Sequence, residues 1–507
     1  MKTYHTIKTL ALGGIAMFSL ASCSLDYEPL SEPSEITQGG QTETSTAVLK
    51  DKAAADAQLK SLYELFRNRQ EHTHLDYLLI GDSHSDNAYA GTTGAEVVPY
   101  ETNSIDASNS VLSRDWNRYL EDIAKANVLI NGVEQLKENG QISETEYHSY
   151  KAQGEIFRAL MMFRMARLWG SFPVITTIAK TITSDNINEV YPTYYPPRKT
   201  PKECYEQIIA DLTDAEQYAP DNDNSDRTKM TKTVAQAMLA KVYAEKEVQD
   251  YDKVIAYADK VMNTTGVELE DSYETLWGYD ETAIDCMKRN TKEGILEVHW
   301  SGGGNWETWM YGRQLDNWDY YFTWAKWITP SRDIINDFDK EGDEVRKNQA
   351  IVYYACTWSN YYPASNYPFM YKLRSSYNNI YWVRLADIIL MKAEAEAYKG
   401  NLAESAKLVN QIRKRAKLKE LTSDKTGSKE SMIEAVLHER RLELAFEGER
   451  WFDLCRNNKV EKYLNGIDNR DSGRIRQVKQ FDSNSYLLPI PQTALDQNTN
   501  LEQNPGY

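Results

Sequence analysis

The N-terminal segment constrains this chain more than any other part of it. Lys2 and Lys8 precede an apolar stretch from Leu10 to Leu20, and small residues follow it up to Cys23. A positively charged start, a short apolar run and a small-residue cleavage site are the pattern of a secretory signal peptide. The run is shorter than the roughly 20 apolar residues that a membrane-spanning helix needs. We therefore predict that the chain is exported and folds outside the cytoplasm.

A lipid anchor is predicted from the end of this signal. The run Leu-Ala-Ser-Cys that ends at Cys23 is similar to the bacterial lipobox, in which the cysteine thiol is acylated. We expect a lipoprotein signal peptide at residues 1–22 and a Cys23 that carries fatty acids such as palmitate. An ordinary signal peptide with a chance cysteine is the alternative. Residues 23–50 are rich in Ser, Thr, Glu, Gln and Gly, so we predict a flexible tether.

Composition argues against several partners and cofactors. The formal net charge is -17, and an acidic chain without a basic block repels phosphate backbones, so we expect no nucleic acid. The cysteines other than Cys23 are far apart and include no Cys-x-x-Cys, so neither a zinc ribbon nor a redox motif is predicted. No cofactor is expected.

The chain is also rich in aromatic residues. Its 34 Tyr and 12 Trp must partly reach the surface, where such rings commonly serve recognition.

Helical periodicity runs through most of the chain. Leu59, Leu62 and Phe66 share one face, and a helical run at 155–169 ends at Gly170, a typical stop signal. Two Ala-rich helical pairs resemble degenerate tetratricopeptide repeats, which stack to bury a shared core. The first pair covers 233–247 and 251–262, and the second covers 384–399 and 402–416.

Residues 276–383, between the two pairs, differ in character. A strand is predicted at 295–300, and three glycines follow at 302–304. The segment then contains a dense run of rings: Trp306, Trp309, Tyr311, Trp318, Tyr320, Tyr321, Trp324 and Trp327. We predict an irregular insertion here rather than another repeat.

The C-terminal third carries the motifs of a known family. Residues 440–454, with the sequence RRLELAFEGERWFDL, are similar to the signature helix of the SusD/RagB outer-membrane lipoproteins. The Leu-Pro-Ile-Pro run at 488–491 and the tail at 498–507 are similar to the ending of that family. Arg and Glu at spacings of three and four can pair along one helix face, while Leu442 and Trp451 are available for packing. The motif is therefore predicted to be structural rather than catalytic.

The resemblance implies a mainly all-α, SusD-like fold. Tetratricopeptide-like helix pairs would form a scaffold from residues 51–275 and 384–507. The aromatic-rich insertion at 276–383, with short strands, would bear the ligand site within a single domain spanning 51–507. Members of this kind bind oligosaccharides or polysaccharide at the cell surface, sit over a SusC-like TonB-dependent transporter in the outer membrane, and are not enzymes.

Sugar recognition needs flat apolar faces beside polar groups, and the aromatic insertion offers both. About half of its rings are expected to lie in the core instead. The resemblance adds an early polar loop at 81–94 to the site. The predicted ligand-binding residues are Trp306, Trp309, Trp318, Tyr320, Tyr321 and Trp324 of the insertion, with Asp86, Asn87 and Tyr89 of the loop.

Two alternatives to a glycan-binding protein are open from the sequence. A surface glycoside hydrolase needs only two suitably spaced carboxylates, which the sequence neither shows nor excludes. A scaffold that binds only peptides or proteins through its repeats is the other alternative.

Calcium loops at 221–226 and 337–342 are disfavoured because their twelfth position is not Glu. A zinc site from His72, His74 and His84 is disfavoured because the three lack helical ligand spacing.

Overall fold

The computed structural model describes residues 49–91, 94–300, 327–357 and 360–507. Within these ranges the protein is mainly helical, which confirms the predicted fold class. The helices of ten or more residues are α1 (Lys52–Asn68), α2 (Ser110–Glu138), α3 (Glu144–Trp169), α4 (Pro201–Tyr218), α5 (Lys232–Tyr243), α6 (Tyr251–Met262), α7 (Arg332–Glu341), α8 (Leu385–Lys399), α9 (Leu402–Arg415) and α10 (Lys429–Glu443).

Shorter elements connect these helices. Two π-helical turns, Glu71–Leu75 and Leu79–Ser83, flank a short α-helix at Asp76–Leu78. The strands are β1 (Ala88–Tyr89), β2 (Tyr279–Asp280), β3 (Asp285–Cys286), β4 (Gly294–His299), β5 (Thr329–Pro330), β6 (Ile351–Tyr354), β7 (Tyr367–Met370) and β8 (Asn379–Arg384). The other short helices are Val98–Thr102, Ile187–Val190, Tyr191–Tyr194, Glu274–Trp277, Glu344–Ala350, Ala364–Asn366, Ser423–Thr426, Arg450–Arg456, Val460–Leu464, Ile467–Arg470, Ser483–Tyr486 and Gln492–Gln497.

The long helices stack into a continuous scaffold. Each of α1 to α5 packs on the next helix in the chain, α6 packs on α8, and α8 also contacts α9 and α10. In α3 every residue from Gln153 to Trp169 is buried. A helix that is buried on every side needs neighbours all around it, and α2 and α4 supply most of them. One hydrophobic core cluster extends from Leu49 to Leu501.

Local signals explain where the scaffold helices start and stop. A capping box between Ser143 and Glu146 begins α3, and Gly170, with φ of 72°, ends it. The predicted end at Gly170 is confirmed, although the helix begins earlier than predicted. Both Ala-rich pairs are confirmed as α5 with α6 and α8 with α9. Ala393 and Ala397 are fully buried, and their small side chains let α8 approach its neighbours closely.

Most strands lie in the predicted insertion. β4 pairs antiparallel with β8, β2 with β3, and β6 with β7. The predicted strand at 295–300 is confirmed as β4, displaced by one residue. The early strand β1 pairs with β5, which places Tyr89 opposite Thr329. Because β8 runs directly into α8, the insertion is joined to the scaffold at Arg384.

The signature segment 440–454 is not one continuous helix, contrary to the prediction. α10 ends at Glu443, and the next helix begins at Arg450. Phe446 and Gly448 have φ values of 61° and 81°, in the left-handed region that a right-handed helix excludes. The carboxylate of Asp82 accepts hydrogen bonds from the backbone N–H groups of Phe446, at 3.0 Å, and Gly448, at 2.9 Å. A distant side chain therefore satisfies the turn that interrupts the helix.

Most charged residues of this segment pair with distant elements, and Arg440 pairs with Asp453 across the break at 2.8 Å. The prediction that they pair along one helix face is therefore wrong. The Glu443 carboxylate accepts from Arg384 of β8 at 2.6 Å and from Arg346 at 3.2 Å, and it also pairs with Arg415 of α9. Glu447 accepts a further bond from Arg384 at 2.7 Å. The Glu443 side chain and its three arginine partners are buried, and the Glu447 side chain is 10% exposed. The network joins α9 and α10 of the scaffold to the insertion.

Burial alone would favour the neutral form of Glu443. The guanidinium groups of Arg415, Arg384 and Arg346 outweigh that effect and hold the pKa of Glu443 well below its ordinary value of 4.5. At neutral pH Glu443 is therefore a buried anion among three cations. Such an arrangement is tolerated because each charge has a close, oppositely charged partner.

The C-terminal tail is locked onto the end of α3. The indole N–H of Trp169 donates to the carbonyl of Pro489 at 3.1 Å. The amide of Asn504 donates to the carbonyls of Leu488, at 2.7 Å, and Trp169, at 3.1 Å. The guanidinium of Arg198 donates to the side-chain oxygen of Asn504 at 2.5 Å. The two parts of the family-like ending thus serve to close the scaffold.

Residues 1–48, which include the predicted signal peptide, Cys23 and most of the tether, lie outside the described residues. Among the residues that are described, no helix has both the length and the apolar character needed to cross a membrane.

Replacing Glu443 tests the importance of the buried network. We expect Glu443→Gln to lower the free energy of unfolding by about 3–5 kcal/mol, because it leaves buried guanidinium groups short of a counter-charge. The matched control is Glu206→Gln, whose carboxylate is 57% exposed and 3.8 Å from Lys202. That exposed pair is expected to contribute less than about 1 kcal/mol. Denaturant unfolding measures both, and equal stability of the two variants would contradict a structural role for the network.

Acid should weaken the same network. The folded-state pKa of Glu443 is depressed, so its stabilisation is complete above the ordinary value of 4.5 and is lost as the pH falls toward the folded-state pKa. We expect the free energy of unfolding to fall below about pH 5 and to fall less steeply in Glu443→Gln, which has one fewer carboxylate to protonate. Denaturant titrations across the acid range measure this slope. Identical slopes in the two proteins would count against the assignment.

Candidate ligand-binding site

The segment 301–326, which contains the predicted binding rings, lies outside the described residues, but both of its flanks are described. On one side, the edge-to-face contact of Trp300 with His74 has a centroid separation of 5.7 Å. On the other side, the carbonyl of Trp327 accepts a hydrogen bond from the Ser83 hydroxyl at 2.8 Å. His74 and Ser83 belong to the same irregular helical stretch, Glu71–Ser83. Trp300 and Trp327, the described residues that flank the ring-rich segment, therefore both contact one element.

This stretch is unusual because it contains two π-helical turns, Glu71–Leu75 and Leu79–Ser83. Such turns are rare and are frequently found at functional sites. The stretch is held from several sides: His72 lies 2.9 Å from the Asp122 carboxylate, and its carbonyl accepts from the Tyr119 hydroxyl at 2.6 Å. Burial, together with the charge of Arg164, lowers the pKa of His74 to about 3. His74 is therefore neutral where it meets Trp300.

A cluster of aromatic rings adjoins the second attachment point. Tyr89 of β1 stacks on Tyr361 with a centroid separation of 4.3 Å, and Tyr362 lies 6.0 Å from Tyr89. The guanidinium of Arg332, at the start of α7, lies 4.2 Å above the ring of Tyr362. We call these four residues the tyrosine cluster. The strand pair β1–β5 connects it to Trp327, since β5 begins two residues after Trp327.

The polar groups of the tyrosine cluster are held in place by hydrogen bonds. The hydroxyl of Tyr89 donates to Asp471 at 2.6 Å and accepts from the backbone N–H of Arg332 at 3.0 Å. The hydroxyl of Tyr361 lies 2.8 Å from both the Gly91 carbonyl and the Glu101 carboxylate. Burial, reinforced by the Asp471 carboxylate, raises the pKa of Tyr89 above its ordinary range. The cluster is therefore a rigid support whose tyrosine rings are uncharged, rather than a set of reactive groups.

One glycine makes room for this arrangement. A Cβ atom at Gly473 would lie 1.5 Å from the Nη1 atom of Arg332 and 2.9 Å from the Tyr89 hydroxyl. Any larger residue would push the guanidinium out of the cluster. The position of Arg332 thus depends on a residue far away in the sequence.

The structure places all three predicted residues of the early loop inside the protein. Asp86, Asn87 and Tyr89 are each fully buried. The predicted loop begins inside the second π-helical turn, continues as a turn at 84–87 and then enters β1. The carboxylate of Asp86 accepts from Arg450 at 2.8 and 2.9 Å. Asn87 donates to Asp82 and accepts from Arg441. This placement favours a supporting role for the three residues beneath a ligand surface.

Trp306, Trp309, Trp318, Tyr320, Tyr321 and Trp324 lie outside the described residues, and their contact with ligand stays a prediction. Trp327, which follows them, is partly buried and packs against the main core. Sequence reasoning did not single out Tyr361, Tyr362 or Arg332. The one available signal was that Tyr361 and Tyr362 are adjacent in the sequence.

The three histidines considered for zinc occupy different environments. His72 faces Asp122, His74 meets Trp300, and His84 packs 4.0 Å from the ring of Trp451. Within the described ranges, no group of three or more His, Cys, Asp or Glu side chains is arranged to hold a metal ion.

Comparison with known proteins identifies the family. Residues 292–507 match a family model described as the SusD family, and residues 41–244 match one described as starch-binding and associating with the outer membrane. A SusD-like protein of Formosa agariphila is 27% identical over 441 residues, covering 79% of this chain and 81% of that protein. A SusD-like protein of Bacteroides ovatus is 24% identical over 441 residues, covering 78% and 74%.

Solved structures share the fold. A SusD superfamily protein from Bacteroides vulgatus superimposes with a TM-score of 0.74 at 21% identity, covering 91% of this chain and all of that one. A laminarin-binding SusD-like protein superimposes with a TM-score of 0.69 at 22% identity, covering 90% and 100%. The signature segment, the closing tail, the helical scaffold and these matches agree with one another, and the chain belongs to the SusD/RagB family.

Proposed function

We propose that this protein is a cell-surface lipoprotein of the outer membrane that captures oligosaccharides or polysaccharide and passes them to a SusC-like TonB-dependent transporter. Cys23 carries the lipid anchor, and residues 51–507 act as one domain. The observation that carries the proposal is that Trp300 and Trp327, which flank the ring-rich segment 301–326, both contact the Glu71–Ser83 stretch, beside the tyrosine cluster.

Physical chemistry supports a saccharide as the ligand. Sugar rings present an apolar C–H face that packs on Tyr and Trp, and hydroxyl groups that need hydrogen-bond partners. A rigid support lowers the ordering cost of binding, because the loops that carry the rings need not be fixed by the ligand alone. The names of two matches refer to laminarin and starch, which are both glucose polymers, so glucans belong first in a binding panel.

Substituting the predicted rings tests the ligand class. We expect residues 24–507 to bind at least one polysaccharide of a panel that includes laminarin and starch. Trp306→Ala combined with Trp309→Ala should weaken that binding by at least about tenfold, because each ring contributes on the order of 1 kcal/mol. Isothermal titration calorimetry gives the affinities.

The matched control is Tyr218→Ala, which removes a ring that is 41% exposed at the end of the scaffold helix α4. This variant should bind like the wild type. Absence of binding to every glycan would sink the proposal, and an undiminished affinity in the double variant would remove those two rings from the site. Reducing-end release in the same incubations tests for cleavage, which we expect to be absent.

The anchor and the partner are tested in cells. We expect a palmitate analogue to label the wild-type protein and Cys286→Ala, a variant of a partly exposed cysteine, but not Cys23→Ala. Acylation places the lipid on the N-terminal cysteine, and stable anchoring needs more than one chain. Labelling of Cys23→Ala would disprove the anchor. Copurification of a TonB-dependent transporter with the wild-type protein from solubilised membranes tests the partnership.

A further inference from the structure

A surface groove lies on the scaffold, away from the tyrosine cluster. It is bounded by α2, by the turn at 194–196 that precedes α4, and by the C-terminal helix Gln492–Gln497 with the tail that follows. It encloses about 430 Å³ when space open to solvent is counted. The groove shares no lining residue with the tyrosine cluster.

The groove is neutral. None of its lining residues, all of which belong to the described chain, carries a charged side chain, although 26% of the residues of this protein are charged. The walls include Tyr194, Tyr195 and Pro196, which are partly exposed. An anionic or cationic ligand would gain no ion pair here. A neutral ligand with one apolar face fits these walls better.

The groove also offers polar groups without protein partners. Trp116 is 2% exposed, and within the described chain its indole N–H has no hydrogen-bond acceptor, whereas that of Trp169 bonds to Pro489. The side-chain amides of Asn117 and Gln497 likewise form no hydrogen bond to another described residue. A buried donor and two amides therefore surround the same space.

The walls of the groove are fixed before any ligand arrives. The amide of Asn498 donates to the carbonyl of Pro196 at 2.9 Å, and that of Asn500 donates to the carbonyl of Tyr195 at 2.7 Å. The tail thus ties the 194–196 turn in place. Pre-formed walls favour binding because less motion is lost when the ligand is bound.

We propose that this groove is a second binding site for a short, neutral saccharide. One sugar ring would lie against Tyr194 and Tyr195, and its hydroxyls would pair with the indole of Trp116 and the amides of Asn117 and Gln497. The inference rests on the proposed glycan-binding function and extends it. Two separate sites would let one protein hold a long polysaccharide at two points, which raises avidity without new contacts.

Indole N–H signals of ¹⁵N-tryptophan protein test the groove directly. The probes are laminaritetraose and maltotetraose, each titrated to about 10 mM, which is enough to fill a site with a Kd near 1 mM. The Trp116 signal is assigned by its loss in Trp116→Phe. We expect this signal to shift with at least one probe, and the apparent Kd to rise at least about tenfold in Asn117→Ala combined with Gln497→Ala.

The matched control is Gln492→Ala, which lies on the same short helix, is exposed and does not line the groove. It should titrate like the wild type. A Trp116 signal that is unchanged by both probes overturns the second site, whether or not other indole signals move. Movement of other indole signals alone leaves the proposed function intact, so the two failures can be told apart.

Discussion

The rest of this structure depends on the ion pairs that the buried carboxylate of Glu443 forms. It lies among Arg346, Arg384 and Arg415, which come from the insertion, from the junction of β8 with α8, and from α9. No apolar contact could join these elements with comparable directional precision, because each guanidinium donates along fixed lines to a particular oxygen. The attachment of the described part of the insertion to the scaffold therefore depends on this anion.

The other half of the signature segment fixes the second part of the site. Where the helix breaks after Glu443, the buried backbone N–H groups of Phe446 and Gly448 donate to Asp82, and Arg450 donates to Asp86. Asp82 is fully buried, and burial raises its pKa to about 7 despite the hydrogen bonds that it accepts. The segment therefore holds the insertion on one side and the early loop on the other. The turn that interrupts the segment is therefore as important for these contacts as its helical part.

The ion pairs of Glu443 and the contacts with Asp82 and Asp86 explain how a helical scaffold can support a recognition surface. The Glu71–Ser83 stretch contacts Trp300 and Trp327 on either side of the ring-rich segment, and the tyrosine cluster stiffens the neighbouring strand pair. Saccharide binding gains little per contact, so a support that is rigid beforehand matters more than any single ring. The tail adds a comparable function on the scaffold, because it fixes the walls of the neutral groove while it closes the end of α3.

The sequence by itself determined the export signal pattern, the family, the helical pairs and the position of β4, because each depends on local periodicity or on contiguous motifs. It also indicated a structural role for 440–454. Only the tertiary structure decided that this segment breaks at Glu443, that its charges pair with β8, α9 and the early loop, and that Asp86, Asn87 and Tyr89 are buried. The partners of Glu443 lie 28 to 97 positions away in the chain. Which buried charges meet is therefore set by how the helices pack, and no local pattern encodes it.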